Sequence, residues 1–131
     1  MTNKEKKDVL LRARDAVSEI DSLDESIRTI EARLYSGPSA SPIRFRDGTF
    51  DDEKTADLIE DRHRVLDALL FERRQASDAL AQASQVIFEV MHAPKRAALR
   101  YYFICRKSYA YIADVLGCDL STVKRWITGD V

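Results

Sequence analysis

The chain has 131 residues, of which 45% are apolar and 33% charged, with four glycines and three prolines. This length accommodates one compact domain or two small helical pieces, and few glycines and prolines among many charges favour long solvated helices. No apolar run approaches the roughly 20 residues that span a bilayer, and the opening Met1-Thr2-Asn3-Lys4-Glu5-Lys6-Lys7 lacks the apolar core of a secretory signal.

Cys105 and Cys118 are the only cysteines and show no CxxC or paired Cys/His spacing, so neither a disulfide framework nor a metal site is expected. No cofactor and no membrane partner are expected, and the cytoplasm is the expected location. The net charge of −1 hides an asymmetry. Residues 1–92 carry 14 Lys+Arg against 19 Asp+Glu, a balance of −5, whereas residues 93–131 carry 7 against 3, a balance of +4. A basic end behind an acidic helical piece points to an anionic partner at that end.

The first predicted element is a helix from about Glu5 to Tyr35. Its apolar positions Val9, Ala13, Ala16, Ile20, Leu23, Ile27, Ile30 and Leu34 alternate in steps of four and three, a coiled-coil seam that needs a partner helix. Ser36-Gly37-Pro38 and Ser39-Ala40-Ser41-Pro42 stop it. The alternation Ile43 to Phe50 around Asp47-Gly48 suits a short extended turn, too brief for a sheet, and the loop 36–50 is long for a helical hairpin. A second helix starts near Asp51 or Asp52, whose carboxylates suit the positive end of the helix dipole. It continues without Gly or Pro to Ala93, with Ile59, Leu66, Leu69, Leu70, Ala76, Leu80, Ala83, Ile87 and Val90 as its apolar positions. About 40 helical residues extend roughly 60 Å. Folded back, the two helices make an antiparallel hairpin, and the excess length suggests a second copy of the chain.

Pro94 opens a third helix, Lys95 to Arg106, with Leu99, Tyr102, Phe103 and Cys105 turned inward. Ser108 then caps a short helix, Tyr109 to Leu116, whose inner stripe is Ile112 and Leu116, with Ala113 small where another helix crosses. Gly117 suits the left-handed residue that ends a helix, and Asp119 is placed to cap a last helix, Leu120 to about Thr128. Val123 and Trp126 or Ile127 face its core. Two short helices joined by a Gly-led turn form a helix-turn-helix. The expected fold is therefore all-α: a hairpin over 1–92, then a three-helix helix-turn-helix domain over 93–131.

In such a motif the first residues of the second helix enter the major groove. Ser121, Lys124 and Arg125 lie off the Val123 stripe and are the candidates for base edges; Arg suits guanine bidentately, Lys a point charge. Thr122, Lys95, Arg96, Arg100, Arg106 and Lys107 are the candidates for phosphate contacts, which add affinity without sequence information.

The string Ser108-x-x-x-Ile112-Ala113-x-x-Leu116-Gly117-x-Asp119-x-Ser121-Thr122-Val123-Lys124-Arg125 resembles region 4 of bacterial sigma factors, and Leu99-Arg100-Tyr101-Tyr102-Phe103-Ile104 resembles the helix that opens that region. With its helical front, the whole chain looks like phage-encoded late-gene transcription regulators of the RinA/ArpU type. The resemblance implies binding of promoter DNA and contact with RNA polymerase.

Two Glu-x-x-His steps, Glu60 to His63 and Glu89 to His92, match the di-metal bundle pattern but lie 29 residues apart on one helix. At 1.5 Å per residue that is about 43 Å, too far for one site. No catalytic triad, phosphate loop or nucleophile elbow is present, so an enzyme is not expected. The leading expectation is a homodimeric transcription regulator that binds double-stranded DNA sequence-specifically. The competing ones are an adaptor that contacts RNA polymerase without reading DNA, and a DNA-packaging subunit of the small-terminase kind.

Overall fold

A computed structural model describes residues 1–35, 43–44 and 50–131, with side chains described over 1–34 and 56–131. Among the described residues the regular structure is helical apart from one short β pair. Helix α1 spans Asn3–Tyr35 and α2 spans Asp52–Phe88; between them β1 (Ile43–Arg44) pairs antiparallel with β2 (Phe50–Asp51). Helix α3 (Ala93–Leu99) runs into a π-helical turn, Arg100–Ile104, followed by α4 (Tyr109–Leu116) and α5 (Leu120–Thr128). Apart from β1 and Phe50, the expectations for the loop 36–50 lie outside the described residues.

The described residues form two compact units, Asp21–Arg74 and Met1–Ile20 with Gln75–Val131, and the second takes in the C-terminal helices. The reason is size. Helices α3, α4 and α5 are 7, 8 and 9 residues long, too little chain to enclose a core without help. They share one core with the first turns of α1 and the last turns of α2: Val9, Leu10, Ala13, Ala83, Val86 and Ile87 pack with Leu99, Phe103, Ile112, Val123 and Ile127.

Leu10 and Val86 are buried although neither lies on the seam read from the sequence. A two-helix seam is one narrow stripe, but here α1 and α2 also meet the C-terminal helices, which widens the apolar face. In the unit Asp21–Arg74, Ile27, Leu34 and Leu66 form the core, flanked by Ile30, Ile59 and Leu69. Leu70, expected on the stripe, is 44% exposed. Leu66 and Leu69 already occupy the narrow stripe, and one further residue turns the side chain outward by about 100°.

Arg73 Nε lies 2.5 Å from Asp24 Oδ1, and its hydrogen bond holds that carboxyl below the ordinary carboxylate range. Arg62 donates to the carbonyl of Arg33 at 3.2 Å. Both contacts lie within the unit Asp21–Arg74.

Helix α2 ends at Phe88, earlier than the expected Ala93. Pro94 has no N–H to donate, and its ring would clash with the carbonyl four residues back if α2 ran through it. Val90 N–H turns instead to the Ile87 carbonyl at 3.0 Å, and Arg96 Nη1 satisfies the freed Val90 carbonyl at 3.0 Å. His92 is the N-cap of α3, its Nδ1 accepting from the Lys95 N–H at 3.3 Å.

The expected single helix Lys95 to Arg106 is broken by the π turn, in which Cys105 N–H reaches back five residues to the Arg100 carbonyl at 3.1 Å. A wider turn inserts one residue into the helical register. Leu99 and Phe103 therefore stay in the core while Cys105, expected inward, is exposed.

Candidate functional site

The last two helices are built by local chemistry. Ser108 Oγ accepts from the Tyr111 N–H at 3.2 Å and starts α4. Gly117 ends it with φ 66° and ψ 36°, and the next N–H, of Cys118, closes onto the Ala113 carbonyl at 3.1 Å. Asp119 holds the N-cap position of α5, but its carboxylate makes no capping hydrogen bond; its backbone carbonyl accepts from Thr122 and Val123 instead.

Ile112 on α4 and Val123 and Ile127 on α5 fill the core, with Ala113, Leu116 and Trp126 half-buried against it. Ile127 is the deeper of the two alternatives read from the sequence. The Trp126 ring meets the His92 ring at 5.6 Å, covering the core edge at the start of α3.

With Val123 and Ile127 turned in, the opposite face of α5 is open. Ser121, Lys124 and Arg125 are all exposed, and among the described residues no ion pair engages either cation. Asp119 and Leu120, at the start of α5, are exposed as well. Thr122 is half-buried.

The cations expected at phosphates divide into two groups. Arg100 and Lys107 are exposed, with Lys107 Nζ 5.0 Å from the centre of the Tyr111 ring. Lys95, Arg96 and Arg106 are engaged within the chain. Lys95 Nζ donates to the Asp130 carbonyl, Arg96 holds the Val90 carbonyl, and Arg106 donates to the Arg14 carbonyl at 3.2 Å and to Ser18 Oγ. Arg106 also has φ 56°, a left-handed conformation that closes the π turn, with the next N–H, of Lys107, reaching the Tyr101 carbonyl at 2.9 Å. The sequence showed seven cations; their division into bracing and free is tertiary.

Two residues missed by the sequence reading belong to this region. Lys7 Nζ donates to the carbonyls of Ile127, at 3.2 Å, and Thr128, placing a cation at the negative end of α5. Asn3 accepts from the Val131 N–H at 2.7 Å and donates to Asp130 at 2.9 Å. The start of α1 thus braces the end of α5. Their signal in sequence is nil, because the partners are more than 115 residues away.

An aromatic stack supports α4. Tyr102 and Tyr109 stack with centres 5.1 Å apart, and the Arg14 guanidinium carbon lies 4.0 Å above the Tyr102 ring. Burial, then hydrogen bonding to Tyr102, pushes the Tyr109 phenol above its ordinary value.

Among the described residues no His, Cys, Asp and Glu side chains group as metal ligands, and no helix is long and apolar enough to cross a membrane. His92, half of one Glu-x-x-His step, uses its ring as a helix cap. No protein-family model, curated protein or solved structure matches the chain.

Proposed function

We propose that the chain is a sequence-specific DNA-binding transcription regulator, with α4 and α5 as a helix-turn-helix and α1 and α2 as an antiparallel hairpin. The hairpin reading is supported by the pairing order, Arg73 with Asp24 and Arg62 with Arg33. The helix-turn-helix reading is supported by the left-handed Gly117 and by the two helices contributing Ile112, Val123 and Ile127 to one core.

One observation carries the function: α5 buries Val123 and Ile127 and exposes Ser121, Lys124 and Arg125 together on its other side. Duplex DNA offers that face a groove of acceptors flanked by anionic phosphates. In this reading Arg125 and Lys124 take base edges with Ser121, while Arg100, Lys107 and Thr122 take phosphates. Lys95, Arg96 and Arg106 position the elements that carry them. RNA polymerase as a second partner, a phage origin and a homodimer follow from the resemblance and the long hairpin, and they are part of the proposal. The function requires no catalysis and no cofactor.

Gel shifts with duplexes selected from a random library test it. Lys124→Ala with Arg125→Ala is expected to abolish preference for the selected duplex, a loss on the order of tenfold or more per base contact. Residual binding should fall with added salt, because association releases counterions condensed on the phosphates and added salt makes that release less favourable. Unchanged affinity in the double variant would defeat the assignment. Recovery of RNA polymerase without any duplex binding would favour the adaptor instead.

A further inference from the structure

Leu120 is the first residue of α5 and is 53% exposed. It stands seven residues before the buried Ile127 and so continues the core stripe, yet the core does not reach that far. Nor does the position call for leucine locally. It follows the N-cap, where a leucine side chain satisfies no orphan N–H. An isolated exposed leucine needs no explanation by itself. This one borders Ser121 and lies one turn before Lys124, on the border of the face that carries the free cations.

The edges of base pairs present the major groove with donors, acceptors and a single kind of apolar group, the C5-methyl of thymine. An exposed apolar tip beside cations at the start of the helix fits that group. We infer that Leu120 is a specificity-determining residue that packs on a thymine methyl, so that the DNA site contains a thymine next to the bases read by Ser121 and Lys124. The inference rests on the DNA-binding reading of α5 and adds to it the chemistry of one base.

Uracil differs from thymine only in lacking this methyl, which makes the contact measurable one atom at a time. The full chain is used to select a duplex from a random library, and each thymine of that duplex is then replaced singly by uracil. Burying one methyl-sized group stabilises by about 0.8 kcal/mol, so the wild-type chain is expected to lose about fourfold in affinity at one thymine. Leu120→Ala is expected to bind the thymine duplex about as weakly as wild type binds the uracil one, and to be indifferent to uracil there. Leu120→Met should keep most of the discrimination, because it keeps the apolar reach. Since Leu120 lies outside the core, both variants should keep the wild-type melting temperature.

The inference is overturned if Leu120→Ala retains wild-type affinity together with wild-type sensitivity to uracil at every thymine. It is equally overturned if no thymine replacement weakens the wild-type chain. In both cases the selected duplex itself would still uphold DNA reading by Lys124 and Arg125. Failure of the wild-type chain to select any duplex would instead remove the DNA-binding reading and this inference with it.

Discussion

Gly117 joins α4 to α5 with φ 66°, and a Cβ built on it meets nothing within 4 Å. Space is therefore no objection to a side chain there, and the whole cost of one is conformational. An L-residue in the left-handed region loses about 1 kcal/mol. Gly117→Ala is expected to lower stability by about that amount in a denaturant titration, and Gly117→Asn by less, since Asn tolerates this backbone. Equal stability for all three would show that the turn does not need its left-handed residue. Arg106 adopts the same conformation with φ 56°, but there the side chain is anchored to Arg14 and Ser18, contacts that offset the strain. The two positions differ in legibility. Gly117 after Leu116 is a sequence-level stop signal, whereas nothing about Arg106 in the sequence marks a left-handed residue.

At the scale of elements, the stack of Tyr102 on Tyr109 ties the π turn to α4. The phenol of Tyr109 is raised above its ordinary value of 10.0, first by burial and then by its hydrogen bond with Tyr102. A group that holds its proton more tightly when folded contributes fully below its unfolded value, and that contribution is lost as pH rises through the folded one. Thermal stability is therefore expected to fall from about pH 10 upward, and Tyr109→Phe to show a shallower fall over the same range. An identical alkaline slope in the variant would remove Tyr109 from the account. The same π turn explains the misplacement of Cys105. A periodicity of 3.6 residues was read straight through Lys95 to Arg106, and one inserted residue moved the cysteine off the buried face. Only the carbonyls seeking N–H partners five residues on reveal that insertion.

At the scale of the molecule, the C-terminal helices depend on the start of α1 and the end of α2. Leu10 and Ile87 are as deeply buried as Leu99, Ile112 and Val123, all of them within one core. A fragment of residues 93–131 lacks Val9, Leu10, Ala13, Ala83, Val86 and Ile87, and it loses Lys7 from the end of α5. Such a fragment is expected to show weak helical circular dichroism and no cooperative thermal transition, while the full chain shows one. A sharp transition in the isolated fragment would mean that the small helices enclose a sufficient core alone.

The sequence alone determined the helices, because a heptad seam, a Ser108 cap, Pro94 and Gly117 act within a few residues of themselves. It also determined which face of α5 is polar, since Val123 and Ile127 mark the other one. Tertiary structure alone decided which segments share a core, which cations brace carbonyls and which stay free, and that Leu120 is left exposed at the start of α5. Those outcomes turn on partners far away in the chain, such as Lys7 with Thr128 and Arg106 with Ser18, and local periodicity holds no information about pairs of that separation.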